Sequence, residues 1–373
     1  MAVYKIFPIA DATIYSAFPS MNTGLDEIVE ASTTNEGFSD PNPQTSRFIV
    51  KFDQNEINNL LNNKIGTSSW ASNLRLFIAN AEGLTGTTTI ESFPLSGSWN
   101  MGTGHYGDSP LTEDGVCWSY RNASGSVAWS TLSFNAYVTG SWSGSNSGGG
   151  NWYTGSSIVG LNVKSTQSFS YYDDKDININ VTDTVKTWYS GAIINQGFIL
   201  KQAAEFNSTI NTILKYFSRD THTIYPPALQ ISWFDFNWNT GSSKQTVLNT
   251  TPATLTLAQN PGTFYPESIN RFRINARPEY PVQIWETSSV YLNNFYLPSG
   301  SSLYAIKDLD TNEYIIDFDS QYTQISADAT SSYFDIYMNG LEPERYYAIL
   351  IQTNLNGSKI VFDNQYYFKV ING

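Results

Sequence analysis

The run Val181–Gln202, VTDTVKTWYSGAIINQGFILKQ, and the nearby Leu214–Asp220, LKYFSRD, decide the fold. Thr182 or Asp183 offers a side-chain oxygen to the free N–H groups of a helical first turn. Val181, Val185, Trp188 and Tyr189 recur at the spacing of one helical face, and Gly191 stands where a left-handed C-terminal cap is wanted. Beyond it, Gly197–Lys201 and Ile213–Phe217 are apolar runs bounded by polar turns, the pattern of buried strands. The expected arrangement is a short helix plugging one end of a β-sandwich, with those strands through its middle.

Upstream, residues 2–16, 25–33, 48–52, 74–79 and 88–95 read as strands. Asp53 can cap a second helix, Glu56 completes a box-like start, and Ile57, Leu60, Leu61 and Ile65 share one side. From about Gly97 to Gly155 the texture changes to Gly, Ser and Asn, with Trp99, Trp118, Trp129, Trp142 and Trp152 spaced through it. This stretch is expected to be an elaborated loop with hairpins, and long loops of this kind are usually functional or irregular. Strand alternation returns at 157–180, and 198–233 close the sandwich. Asn237–Asn249 (NWNTGSSKQTVLN) is a polar connector. Past it, 253–257, 269–276, 281–287, 302–307, 313–318, 333–338, 346–353 and 358–370 are candidate strands, and Asn356-Gly357 marks a tight hairpin. The class is therefore all-β: an N-terminal β-sandwich over 1–236 with two short helices and the loop at about 97–155, a linker at 237–250, and an Ig-like β-sandwich over 251–373.

Composition narrows the function. The net charge is −13, with 20 Lys and Arg scattered along 373 residues. Phosphate backbones need clustered basic residues, so no nucleic-acid partner is expected. No apolar run approaches the length of a membrane span, and the N-terminal stretch is broken by Pro8 and Asp11, so it reads as a strand rather than a signal peptide. No membrane partner is expected either. The lone Cys117 has no disulfide partner. A surface-type β-protein of this kind is expected to be made and assembled in a cytoplasm.

Motifs in order along the first half carry a resemblance. They are Asp11-Ala12-Thr13 with Asn22-Thr23-Gly24, Arg47–Asp53 (RFIVKFD), Leu74-Arg75-Leu76, V-T-D-x-V-x-x-W from Val181, N-x-G-F-I-L from Asn195, Tyr216–Asp220 (YFSRD) and Pro227–Ser232 (PALQIS). Together they resemble the DNRLRE family of jelly-roll modules, related to carbohydrate-binding modules, over roughly residues 1–234. Farther on, Ala276–Pro281 (ARPEYP), Ser288–Pro298 (SSVYLNNFYLP), Tyr304–Glu313 (YAIKDLDTNE) and Gly340–Tyr347 (GLEPERYY) are similar to C-terminal segments of virion structural proteins of T4-like and other marine tailed phages. The resemblance implies a jelly roll in a virion protein assembled in the host cytoplasm, whose partners are other virion proteins and copies of itself.

Motifs for chemistry are weak. Gly102–Gly107 (GTGHYG) matches G-x-G-x-x-G, but Asp108-Ser109-Pro110 follows where a dinucleotide site needs a helix, so a flexible glycine turn is expected. Asp308, Asp310 and Asn312 imitate the start of a calcium loop without its glycine, and a hairpin explains them better. His105 and His222 are too few for zinc, and Cys117 reads as a buried, inert thiol. No cofactor, metal or catalytic residue is assigned, and no enzyme is expected. Trp99, Trp118, Trp142 and Trp152 are the candidate contact residues. They can stack on a host-surface glycan, anchor a protein contact, or pin the loop to its own sandwich. The leading expectation is a non-enzymatic structural component of a tailed-phage virion, in its tail, neck, baseplate or capsid, and the alternative is a carbohydrate-binding attachment module.

Overall fold

The computed structural model describes residues 2–34, 44–129, 138–140, 148–153, 158–205, 211–241, 246–258, 260–280 and 295–371. The chain divides into two compact units. The larger comprises Ile6–Gly66 and Ala71–Gln230; the smaller comprises Met1–Lys5, Thr67–Trp70 and Ile231–Gly373. Two short stretches from the first part of the chain thus group with the C-terminal part. The expected strand at 281–287 lies outside the described residues.

The protein is all-β, with curled antiparallel sheets of the β-sandwich kind and two short helices among the described residues. In chain order the first strands are β1 (Ala2–Ile6), β2 (Pro8–Tyr15), β3 (Ile28–Thr34), β4 (Gln44–Phe52), β5 (Trp70–Leu76), β6 (Ile78–Glu82) and β7 (Thr88–Pro94). Then come β8 (Tyr120–Asn122), β9 (Val127–Ala128), β10 (Val138–Gly140), β11 (Asn151–Tyr153), β12 (Ser165–Phe169) and β13 (Ile177–Asn180). The larger unit closes with β14 (Phe198–Gln202) and β15 (Thr212–Phe217), and β16 (Ala228–Trp233) follows.

The larger unit is organised on an 8-stranded sheet in the order β12-β7-β14-β4-β3-β15-β6, with β2 also paired to β4. Phe198, Ile199 and Leu200 face Val50, Ile49 and Phe48 across the centre. Both sets are fully buried, because each face of these strands is covered. On one face Phe198 meets Phe52 and Trp188, and Phe48 meets Tyr216. On the other, Ile49 and Ile199 pack with Ala12, Ile14, Leu95, Val116, Trp118, Trp129 and Trp152. That double burial is why Phe48–Val50 and Phe198–Leu200 are continuous apolar runs rather than an alternation.

Trp188 comes from α2 (Thr182–Tyr189), which buries Val185 and Trp188. The C-terminal end follows expectation: Gly191 has φ of 74° and its N–H donates to the Trp188 carbonyl. The N-terminal end differs. Val181 is the N-cap and has no capping side chain of its own; Asn180 Oδ1 accepts the Thr182 N–H at 3.0 Å, and the Thr182 hydroxyl accepts the Ser72 N–H at 2.9 Å. Tyr189 also leaves the apolar face; it is exposed and its hydroxyl donates to Asn62 Oδ1. In α1 (Gln54–Asn59) the Asp53 carboxylate does cap, accepting the Asn55 N–H at 3.0 Å. The helix widens into a π turn over Leu60–Ile65, and Ile57, Leu60, Leu61 and Ile65 are all buried.

The smaller unit adds β17 (Ala253–Ala258), β18 (Thr263–Phe264), β19 (Ile269–Pro278), β20 (Leu303–Asp308), β21 (Tyr314–Ile316), β22 (Ser326–Ala327), β23 (Ser332–Tyr337), β24 (Tyr346–Leu355) and β25 (Ser358–Val370). They form two sheets, β17-β19-β23-β22 and β18-β25-β24-β20-β21. One core joins them, with Phe334 stacked between Phe272 (5.5 Å) and Tyr304 (4.4 Å). Asn356 and Gly357 both have positive φ and join Leu355 to Ser358, the I′-like turn that an Asn-Gly hairpin demands. Asp308 Oδ1 accepts the N–H groups of Asp310 and Thr311, its other oxygen pairs with Arg345, and β20 and β21 form the expected hairpin.

Candidate functional site

The described tryptophans of the Gly97–Gly155 stretch pack against the sheet and cover a buried ion pair. Trp118, Trp129 and Trp152 are core residues and Trp99 packs against them half-buried, its Nε1–H donating to the Gln196 carbonyl. Trp142 lies outside the described residues. Under the indoles lies Arg47, which β4 points to the same side as Ile49. Its side chain is fully buried and donates in bidentate fashion to Glu205, at 2.9 Å from Nε and 2.7 Å from Nη2. Its Nη1 donates to the Gly149 carbonyl. The guanidinium lies 4.9 Å from the Trp118 ring centroid and 5.2 Å from that of Trp152, within cation–π range.

Charge continues outward from this pair. Lys201 reaches Glu205 at 3.4 Å and Glu91, its cross-strand partner, at 3.1 Å; Lys164 reaches Glu91 at 2.6 Å. Burial pushes the Glu91 carboxyl up, but the Lys164 and Lys201 bonds and charges outweigh it and hold the group below its ordinary value. Three cations thus alternate with two carboxylates along one network within the chain. Of the four sequence candidates, the structure therefore brings Trp118 and Trp152 together over one cation and sets Trp99 at the margin of the same cluster.

The motifs near the start of the chain also serve packing. Asn22 is fully buried; its Nδ2 donates to the carbonyls of Met101 and Val116, and its Oδ1 accepts the N–H groups of Gly24 and Gly104. A Cβ at Gly102 would lie 2.4 Å from Asn22 Oδ1, and one at Gly104 would lie 2.4 Å from the Asn22 carbonyl oxygen. The G-x-G-x-x-G run is therefore a loop moulded onto an asparagine rather than a free turn. Asp11 is buried, accepts the Arg219 N–H at 2.7 Å, and is pushed up to about 7 by burial. Burial likewise raises the Cys117 thiol.

A second feature of the larger unit lay unseen in the sequence: an open cleft of about 490 Å³ on the outer face of β3 and β15. Alternate residues of β3 line it (Ile28, Glu30, Ser32 and Thr34) while Val29 and Ala31 point into the core. Lys215, opposite Glu30 on β15, reaches that carboxylate at 3.9 Å. Tyr106, on the loop that Asn22 holds, brings its ring to 5.3 Å from Tyr15 and 6.1 Å from Phe18. Its N–H donates to Asp26 Oδ1 at 2.9 Å, and His105 stands 3.5 Å from the same oxygen. Burial raises Asp26 above its ordinary value, against the lowering by Tyr106 and His105. Burial, with Glu30 and Asp26 nearby, raises the Tyr15 phenol well above its own. These residues run from 15 to 215 in sequence, and the pairing of β3 with β15 together with the loop held by Asn22 assembles them.

Among the described residues no group of three or more His, Cys, Asp and Glu is placed to hold a metal ion, and no helix is long and apolar enough to cross a membrane. No protein-family profile matches the chain, and no curated protein matches it. The jelly-roll and tailed-phage resemblances rest on the motifs quoted above.

Proposed function

We propose that this chain is a non-enzymatic structural component of a tailed-phage virion, working by docking against other virion proteins and further copies of itself. The observation that carries this reading is the closed network under Trp118 and Trp152. Aromatic and charged groups that could meet a substrate are spent instead on fixing a long loop to a sheet. A body whose central strands are covered on both faces meets its neighbours through loops, edges and shaped depressions, which is how symmetric assemblies are built.

The order of the smaller unit's strands supports an Ig-like reading within that proposal. Its N-terminal strands divide between the sheets: β17 pairs with β19, and β18 runs parallel to β25 on the other sheet. The jelly-roll reading of the larger unit belongs to the same proposal. Mass spectrometry of purified particles tests it, with the chain expected at a fixed copy number relative to the capsid protein. Its absence from washed particles, or its recovery as a secreted monomer that turns over a polysaccharide, overturns it.

A further inference from the structure

The cleft beside Tyr106 differs from the tryptophan cluster in what it leaves open. Asp26, Glu27 and Glu30 line it against a single ammonium, Lys215, so its walls carry excess negative charge. Tyr15, Phe18 and Tyr106 stand beside those carboxylates, and Phe18 and Tyr106 are exposed. The loop bearing Tyr106 is set in advance: Asn22 holds Gly104, Leu25 N–H donates to the Gly104 carbonyl, and Asp26 accepts the Tyr106 N–H. Ring faces are negative at the centre, so rings and carboxylates attract the same kind of guest.

We propose that this cleft receives the guanidinium of an arginine side chain presented by a partner polypeptide. A guanidinium is planar, lies flat on aromatic rings, and gives a carboxylate two parallel hydrogen bonds. Its weak hydration suits apolar walls such as Ala17 and Ile213. A neutral sugar would strip water from Asp26 and Glu30 without returning positive charge. A small metal cation would ask for a cage of oxygens where this cleft offers rings. The chain's net charge of −13 favours a basic partner segment over an acidic one. The proposal stands whether or not the protein belongs to a particle, because it rests on the cleft alone.

The test uses the full chain and saturation-transfer NMR with acetyl-Gly-Arg-Gly-amide, its citrulline counterpart, methylguanidinium and a neutral cello-oligosaccharide. The arginine peptide is expected to saturate about tenfold below its citrulline counterpart, from the loss of a charged bidentate contact, and to weaken as salt rises. Tyr106→Ala and Glu27→Gln, both at exposed side chains, are each expected to weaken it severalfold. Equal saturation by the citrulline peptide, or no saturable signal from the arginine peptide, overturns the proposal. Displacement of that peptide by the oligosaccharide overturns it too. Methylguanidinium binding as tightly as the peptide overturns the assignment to a polypeptide.

Discussion

Two regions of the larger unit use the same chemical vocabulary to opposite ends. Under Trp118 and Trp152, a cation and its carboxylate are withdrawn from water, and rings close over them. Around Tyr106, rings and carboxylates face an open cleft with one ammonium among three acids. A buried charge survives only when paired and hydrogen-bonded, so the first region must be complete within the chain. The second is tolerable because water reaches it. Aromatic residues in a glycine-rich loop thus say little about binding until their burial and their charge balance are known.

The sharpest way to break the comparison is to unpair the sealed region. Glu205→Ala leaves Arg47 buried without its bidentate partner and is expected to cost about 3–5 kcal/mol in denaturant unfolding. Replacing both with apolar residues, Arg47→Met with Glu205→Leu, should cost less than that single change. If the single variant is as stable as the parent, the network is not closed as described.

Asp11 extends the contrast to a carboxylate buried against a backbone N–H rather than a bidentate cation. Its pKa rises from an ordinary 3.8 to about 7 on folding. Below 3.8 both states hold the proton. Between 3.8 and about 7 the folded state keeps a proton that the unfolded chain has released, so stability falls as pH rises through that window. The whole effect is at most about 4 kcal/mol. Subtracting the pH profile of Asp11→Asn from that of the parent should isolate this slope; parallel profiles would refute it.

Smaller effects separate moulded loop from exposed ring. Gly102→Ala adds a Cβ against Asn22 at a φ of 80°, and should destabilise by about 1–3 kcal/mol. Tyr106→Ala, four residues on, should change stability by no more than about 0.5 kcal/mol while weakening arginine-peptide binding. Thermal melts of the two variants side by side check both, and the reverse order would show that the ring, not the glycine, holds the loop.

Local signals in the sequence were read well where they depend on neighbours in the chain. The Gly191 cap, the Asp53 cap and the Asn356-Gly357 turn each follow from a few adjacent residues. The start of α2 departs from expectation because Ser72, more than a hundred positions away, engages the Thr182 hydroxyl, while Asn180 rather than Thr182 or Asp183 accepts a first-turn N–H. The tryptophans were visible as a cluster of aromatics, but pinning, protein contact and glycan stacking all ask for the same residues. Only Arg47 beneath the rings, an arginine leading directly into the apolar Phe48–Val50, hints at how two of them are used. The cleft had no signal of that kind, since Tyr15, Asp26, Glu30, Tyr106 and Lys215 meet only after β3 pairs with β15 and the Asn22 loop folds back.

The most direct test of the central claim is hydrogen exchange at the Trp129 indole, which is fully buried and donates to the Cys117 carbonyl at 3.0 Å. If the tryptophan-rich stretch belongs to the core, that proton exchanges only as slowly as the β4 and β14 amides, through global unfolding. Exchange orders of magnitude faster, with those strands still protected, would mean that the stretch opens by itself and would contradict the account.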